Sequence, residues 1–171
     1  MKNLTVKKLV LCGILSTLAT LAFIIENAFP PLLLPSAKMG LSNIFILLST
    51  LILGWQYGVF TLIIKVMLGS LFSGNISSII YSLPAGIISL SVEIILIYLV
   101  KKVSVLSVSI AGAVINSTVQ NLIFCLITGV NEFLFYLPYL ALISVVSGLI
   151  VGLCVYLIIK KTQTPLKKYL I

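Results

Sequence analysis

The chain of 171 residues contains no histidine and no arginine, and its acidic residues are three glutamates. Without histidine there is no imidazole to ligate haem or a catalytic metal ion. The three cysteines, Cys12, Cys125 and Cys154, lie in apolar segments and show no Cys-x-x-Cys spacing. This pattern is typical of small packing residues and argues against a metal site or a disulfide framework. We therefore expect neither a metal ion nor a cofactor.

The sequence also lacks the motifs of autonomous catalysis. It has no glycine-rich loop ending in Gly-Lys-Ser/Thr, no cluster of carboxylates for magnesium and diphosphate, and no nucleophile with a plausible base. Each of these arrangements is needed to hold phosphates, to position a metal ion or to activate a side chain for attack. We expect a protein that is not an enzyme.

Apolar residues dominate the composition. The chain is 61% hydrophobic and 8% charged, with a mean hydropathy of +1.30. The net charge of +8 comes from lysines clustered at the ends of apolar segments, where topology signals and contacts with anionic lipids belong. This distribution argues against nucleic acid binding. The composition predicts an all-α, polytopic membrane protein with one domain over residues 1–171.

The apolar segments predict a bundle of six transmembrane helices, since about 20 residues are needed to cross the hydrocarbon core. The second segment is short for a complete span. An even number of spans places both termini and the loop between helices four and five on one side, which the positive-inside rule makes the cytoplasm. The predicted helices lie near 7–27, 39–54, 56–73, 77–100, 104–128 and 133–160. The lysines on the predicted cytoplasmic side are Lys2, Lys7, Lys8, Lys101, Lys102, Lys160, Lys161, Lys167 and Lys168.

Lys65 lies near the middle of the third predicted span. An ammonium in hydrocarbon costs roughly 2.5–3.5 kcal/mol on insertion scales, so Lys65 needs a partner, a water-filled cavity or a ligand. On a helix, Gly58, Thr61, Lys65 and Gly69 share one face at three- and four-residue spacing. This stripe of small residues predicts that the lysine faces other helices and not lipid.

Glu93 is the predicted partner of Lys65. It follows Ser82, Gly86 and Ser89 on one stripe of the fourth helix. The third and fourth helices are antiparallel, and each rises about 1.5 Å per residue. Counting along both helices places the two charged residues at similar depths in the membrane. They form either a structural ion pair that fixes helix register or part of a binding or transport site.

Further polar residues converge at the predicted outer half of the bundle. Amide side chains in spans bond either a ligand or a neighbouring helix, the latter contributing about 0.6 kcal/mol each. The connector over residues 28–38 is apolar and rich in proline, as expected for either a lid or an inert interfacial loop. The predicted substrate-binding residues are Glu26, Lys38, Asn43, Lys65, Glu93, Asn116, Gln120 and Asn121.

Several segments resemble the Gx transporter family, whose members are often labelled heptaprenyl diphosphate synthase component I. The resemblance covers nearly the whole chain, and its first two motifs are the more specific. The matching segments are residues 35–44 (PSAKMGLSNI), 53–54 (LG), 65–70 (KVMLGS), 81–86 (YSLPAG), 116–121 and 136–138 (YLP).

That family is similar to the S components of energy-coupling factor (ECF) transporters, six-helix proteins that bind vitamins in the membrane. The resemblance implies uptake or translocation of a small vitamin-like molecule, such as a flavin or a quinone or isoprenoid precursor. The implied partners are the lipid bilayer of a bacterial cell and a transmembrane coupling subunit with two ATPases. The alternative is a non-catalytic accessory subunit of a prenyl diphosphate synthase or of a flavin-dependent extracellular electron transfer system.

Overall fold

The computed structural model describes residues 2–28, 40–100 and 103–162, and these residues are helical apart from short connections. A 3-10 helix over Asn131–Tyr136 precedes the last α-helix. The all-α prediction is thus confirmed for the described residues. The six α-helices are α1 (Lys2–Ala28), α2 (Asn43–Leu53), α3 (Trp55–Phe72), α4 (Ser78–Leu99), α5 (Val105–Thr128) and α6 (Leu137–Lys161).

Glycine ends two of the helices at predicted turns. Gly54 has φ 114° between α2 and α3, and Gly129 has φ 70° at the end of α5. L-residues with a side chain rarely adopt these angles, so glycine stops each helix with little strain. At the opposite end of α5, the Ser104 hydroxyl accepts the backbone N–H of Ser107 and caps the helix.

Five of the six α-helices are long and apolar enough to cross a membrane. The exception is α2, whose 11 residues rise about 16 Å, roughly half of the hydrocarbon thickness. The prediction of a helix over 39–54 was too long at its start, because Gly40 takes φ 67° and residues 41–42 form a turn before Asn43. The last helix also begins later than the predicted residue 133, since residues 131–136 adopt 3-10 geometry.

Consecutive helices alternate in direction. The end of α2 packs against the amino-terminal half of α1, where Leu53 joins Cys12 and Leu15 in one core cluster. Leu51, near the same end of α2, shares a second cluster with Val155 of α6. The amino end of α1 and the carboxyl end of α6 therefore lie at the same end of the bundle.

The outer surface of the bundle is apolar. Phe72, Leu126 and Phe135 are 72%, 82% and 86% exposed, and large aliphatic side chains cover much of the remaining exterior. A soluble protein rarely exposes so much contiguous apolar surface, whereas lipid chains solvate it without cost. The protein is an integral membrane protein.

Helices α5 and α6 approach each other closely along a ridge of small residues on α6. Gly148 and Gly152 face α5 without a side chain, and the Ser109 hydroxyl donates a hydrogen bond of 2.8 Å to the Gly148 carbonyl. Ser144 extends the ridge and shares a hydrogen bond with Ser117. Small residues at four-residue spacing let two backbones come together and gain dispersion contacts.

We expect Gly148→Ala to destabilise the bundle. A Cβ at this position would lie 2.7 Å from the Ile110 Cα and 3.0 Å from the Ala113 Cβ, so the helices must separate. Overpacking of this kind costs about 1–3 kcal/mol. The free energy of unfolding in detergent, followed by fluorescence of Trp55, measures the effect. Gly13→Ala is the matched control, because nothing lies within 4 Å of its added Cβ; equal stability of the two variants would contradict the close contact.

Candidate functional site

The inward face predicted for α3 is observed. Gly58, Thr61, Lys65 and Gly69 are all buried. Thr61 donates a hydrogen bond to Ser49 of α2 at 3.1 Å and accepts one from the Ser16 hydroxyl of α1 at 3.4 Å. This face therefore packs against two neighbouring helices and not against lipid, as the spacing of its small residues predicted.

Lys65 is held inside the bundle by groups from neighbouring helices. Its side chain is 7% exposed, and its Nζ donates a hydrogen bond of 2.8 Å to the Asn43 Oδ1 at the start of α2. The same Nζ lies 5.4 Å from the centroid of the Phe23 ring on α1. A charge-assisted hydrogen bond and a cation–π contact partly replace the hydration that the ammonium loses.

Lys65 borders a polar cavity enclosed by α1 to α5. The enclosed cavity volume is about 60 Å³. It rises to about 710 Å³ when all empty space between the lining residues, including space open to solvent, is counted. The smaller volume has room for a few water molecules. We call the end of the cavity at Glu26, beside the end of α1, its mouth. The lining mixes polar side chains with apolar ones from α1 to α4; the apolar residues are Phe23, Ile46, Leu62, Val66 and Leu90.

Most of the predicted site residues meet at this cavity. Asn121 is buried at 1% exposure but lies outside the described lining, because one step along α5 from Gln120 rotates the side chain by about 100°. Lys38 and the connector over 29–38 lie outside the described residues. The predicted residues that border the cavity are Glu26, Asn43, Lys65, Glu93, Asn116 and Gln120.

Glu26 joins the end of α1 to the start of α2 at the cavity mouth. Its carboxylate accepts hydrogen bonds from the Leu41 backbone N–H and from the Ser42 hydroxyl, the latter at 3.0 Å. A carboxylate is favourable at this position, because the N-terminus of a helix carries partial positive charge.

Glu93 lies deeper and packs directly against α5. Its side chain is 9% exposed, and a Cβ on Gly112 would overlap its carboxylate. Lys65 is near enough to this carboxylate for the two charges to attract each other. Lys65 and Glu93 border the same cavity, and their pairing, structural or functional, stays a prediction.

Sequence reasoning missed several residues of the site. Gly112, which leaves room for the Glu93 carboxylate, precedes Asn116 and Gln120 at four-residue spacing, so its position on the amide face was a usable signal. Phe23 and Ser117 are among the missed residues that border the cavity. Neither stands out in the sequence, because phenylalanine and serine occur throughout the membrane segments.

We expect Asn43→Leu to destabilise the protein by about 1–3 kcal/mol, because it removes an acceptor from a buried ammonium. Lys65→Met in the same chain should restore most of the lost stability, since no buried charge then remains at that position. A double-mutant cycle on the free energy of unfolding measures this coupling. Additive effects of the two substitutions would contradict a direct interaction between Lys65 and Asn43.

The chain was also compared with known protein families, curated proteins and solved structures. The family model described as heptaprenyl diphosphate synthase component I matches residues 15–158. The comparisons with curated proteins and with solved structures gave no match. The family match runs from the first half of α1 to the last turn of α6 and includes every residue that borders the cavity. The protein therefore belongs to the heptaprenyl diphosphate synthase component I family.

Proposed function

We propose that the protein is a substrate-binding membrane subunit that holds a small vitamin-like molecule in the cavity beside Lys65. The observation that supports this role is a charged and amide-lined cavity inside an otherwise apolar bundle. Apolar side chains of similar volume would pack the same helices at no electrostatic cost. Ionisable residues inside membrane spans usually mark substrate or ion sites, which favours binding over a purely structural role.

The chemistry of the lining defines the kind of molecule. One ammonium, two carboxylates and three amides offer donors and acceptors on several sides, and Leu62, Val66 and Leu90 offer an apolar surface. Such a lining suits a compact molecule with an apolar face and several hydrogen-bonding groups, for example a flavin or a quinone or isoprenoid precursor.

The size of the cavity constrains how that molecule binds. The enclosed space of about 60 Å³ is far below the roughly 300–1,000 Å³ of pockets that enclose a drug-sized ligand. A vitamin-sized molecule would therefore insert one polar end past Glu26, while its remainder occupies the open mouth.

The proposed orientation places the mouth outside the cell. The lysines near the start of α1 and the end of α6 lie at the opposite end of the bundle from Glu26, and the positive-inside rule makes their side cytoplasmic. In this arrangement the short helix α2 is the sixth membrane helix. Since the sequence has no nucleotide-binding motif, the energy for uptake would come from a partner, a transmembrane coupling subunit with ATPases.

A second candidate is an accessory membrane subunit of a prenyl diphosphate synthase. The family name, component I, favours this role because it implies at least one further component. The two candidates differ in their partners. In the second, the protein would anchor or position a catalytic subunit, and the cavity would not need to release its ligand.

Mass spectrometry of the purified protein should detect a bound small molecule, and Lys65→Met should weaken its binding at least tenfold. The methionine keeps the length of the side chain but removes the ammonium that contacts the ligand. Lys161→Met is the matched control, because Lys161 is exposed at the far end of α6. Equal affinity of the two variants, or failure to bind any vitamin, flavin or quinone precursor, would contradict a binding role at Lys65.

Affinity purification of the tagged protein from its native membrane should recover a coupling subunit with ATPases. We expect this complex to survive in mild detergent and to be recovered equally with Lys65→Met, since Lys65 is buried away from the outer surface. Recovery of a prenyl diphosphate synthase subunit without any ATPase would instead support the accessory role.

A further inference from the structure

We propose that the deep end of the cavity, at Glu93, receives a positively charged nitrogen group of the bound molecule, an ammonium or an amidinium. This inference rests on the proposed binding function and adds the chemical class of the ligand. Its basis is the depth of Glu93, the unmet hydrogen-bonding capacity of its carboxylate and the small recess beside it.

Glu93 is the last cavity residue of α4, at the opposite end of that helix's lining from Ser82. Nearer the mouth, the Gln120 amide donates a hydrogen bond of 3.2 Å to the Ser82 hydroxyl. Glu93 follows Ser82 by eleven residues along α4, a rise of about 16 Å. Beyond Glu93, Ile97 packs with Leu51 and other aliphatic residues in a core cluster that seals the bundle.

The Glu93 carboxylate has room but lacks hydrogen-bond donors. No described group donates a hydrogen bond to it, although its side chain is about nine-tenths buried and an ionised carboxylate offers about four acceptor sites. The missing side chain of Gly112 provides the space that the carboxylate occupies. Burying a carboxyl group without hydrogen-bond partners is costly, so the molecule that fills the cavity is the expected source of donors.

A second recess adjoins the carboxylate and limits the size of the group that fits there. Asn43, Glu93, Ser109 and Ser147 are among its lining residues, and it measures about 10 Å³. This is close to the space that one water molecule needs. A single –NH₃⁺ or one arm of an amidinium therefore matches the recess, whereas a ring does not.

The polar groups along the cavity favour a cationic group at Glu93. The other two ionisable residues of the described lining, Glu26 and Lys65, already have partners. Glu26 accepts two hydrogen bonds at the mouth, and Lys65 donates to Asn43. A cation beside Glu93 would form charge-assisted hydrogen bonds, which strengthen in a medium of low dielectric constant.

The test uses acetamidinium chloride and acetamide, probes of equal size that differ in charge and in number of donors. Binding to the full-length protein in detergent is followed by saturation-transfer NMR and by thermal stability, with sodium chloride at equal ionic strength as the reference. We expect acetamidinium to bind at least tenfold more tightly than acetamide. Glu93→Gln should abolish this preference, while Lys161→Met, which changes an exposed residue at the far end of α6, should retain it.

Equal binding of the two probes, a preference that survives Glu93→Gln, or an equal effect of sodium would overturn the inference. If Glu93→Gln does not fold, Gly112→Ala displaces the carboxylate instead and should reduce acetamidinium binding at least tenfold. Unchanged binding by Gly112→Ala would also overturn the inference. A co-purified molecule whose affinity falls with Lys65→Met but not with Glu93→Gln would overturn this inference alone. Absence of any bound molecule would contradict the proposed function itself.

Discussion

The need to solvate one ammonium group inside a membrane shapes the arrangement of the bundle. Lys65 cannot face acyl chains without a large cost, and it instead donates to Asn43 and lies over the Phe23 ring. These contacts come from α2 and α1, so the solvation of one side chain on α3 requires three helices to converge at one level. The same requirement sets the rotation of α3 about its own axis. When Lys65 faces inward, the small residues on its side of the helix face inward as well.

The short helix α2 makes this convergence possible. Its 11 residues are mostly buried, and its start lies well inside the bundle where Asn43 reaches Lys65. The cavity borders the start of this helix, because Gly40, Ser42 and Asn43 belong to its lining. Packing defects in a bundle cost stability, so a polar cavity is more easily explained by a ligand than by folding.

The division of roles within the cavity follows from its polar groups. Glu26 at the mouth is already engaged with backbone and hydroxyl donors, Lys65 in the middle is held by two neighbours, and Glu93 at the bottom has room but no described donor. The same fold can serve a transporter subunit or an accessory subunit, since a fold alone does not fix a function. The chemistry of the cavity and the identity of the partner decide between them.

The sequence by itself determined that the chain forms membrane helices, because long apolar runs without charge have few other stable structures. It also determined which face of α3 turns inward, since Gly58, Thr61, Lys65 and Gly69 repeat at helical spacing. Only the tertiary structure decided that Asn43 accepts the Lys65 hydrogen bond and that Gly112 makes room for Glu93. Contacts between helices depend on their relative depth, tilt and rotation, and these are set by packing of the whole bundle, not by the spacing of residues along one helix.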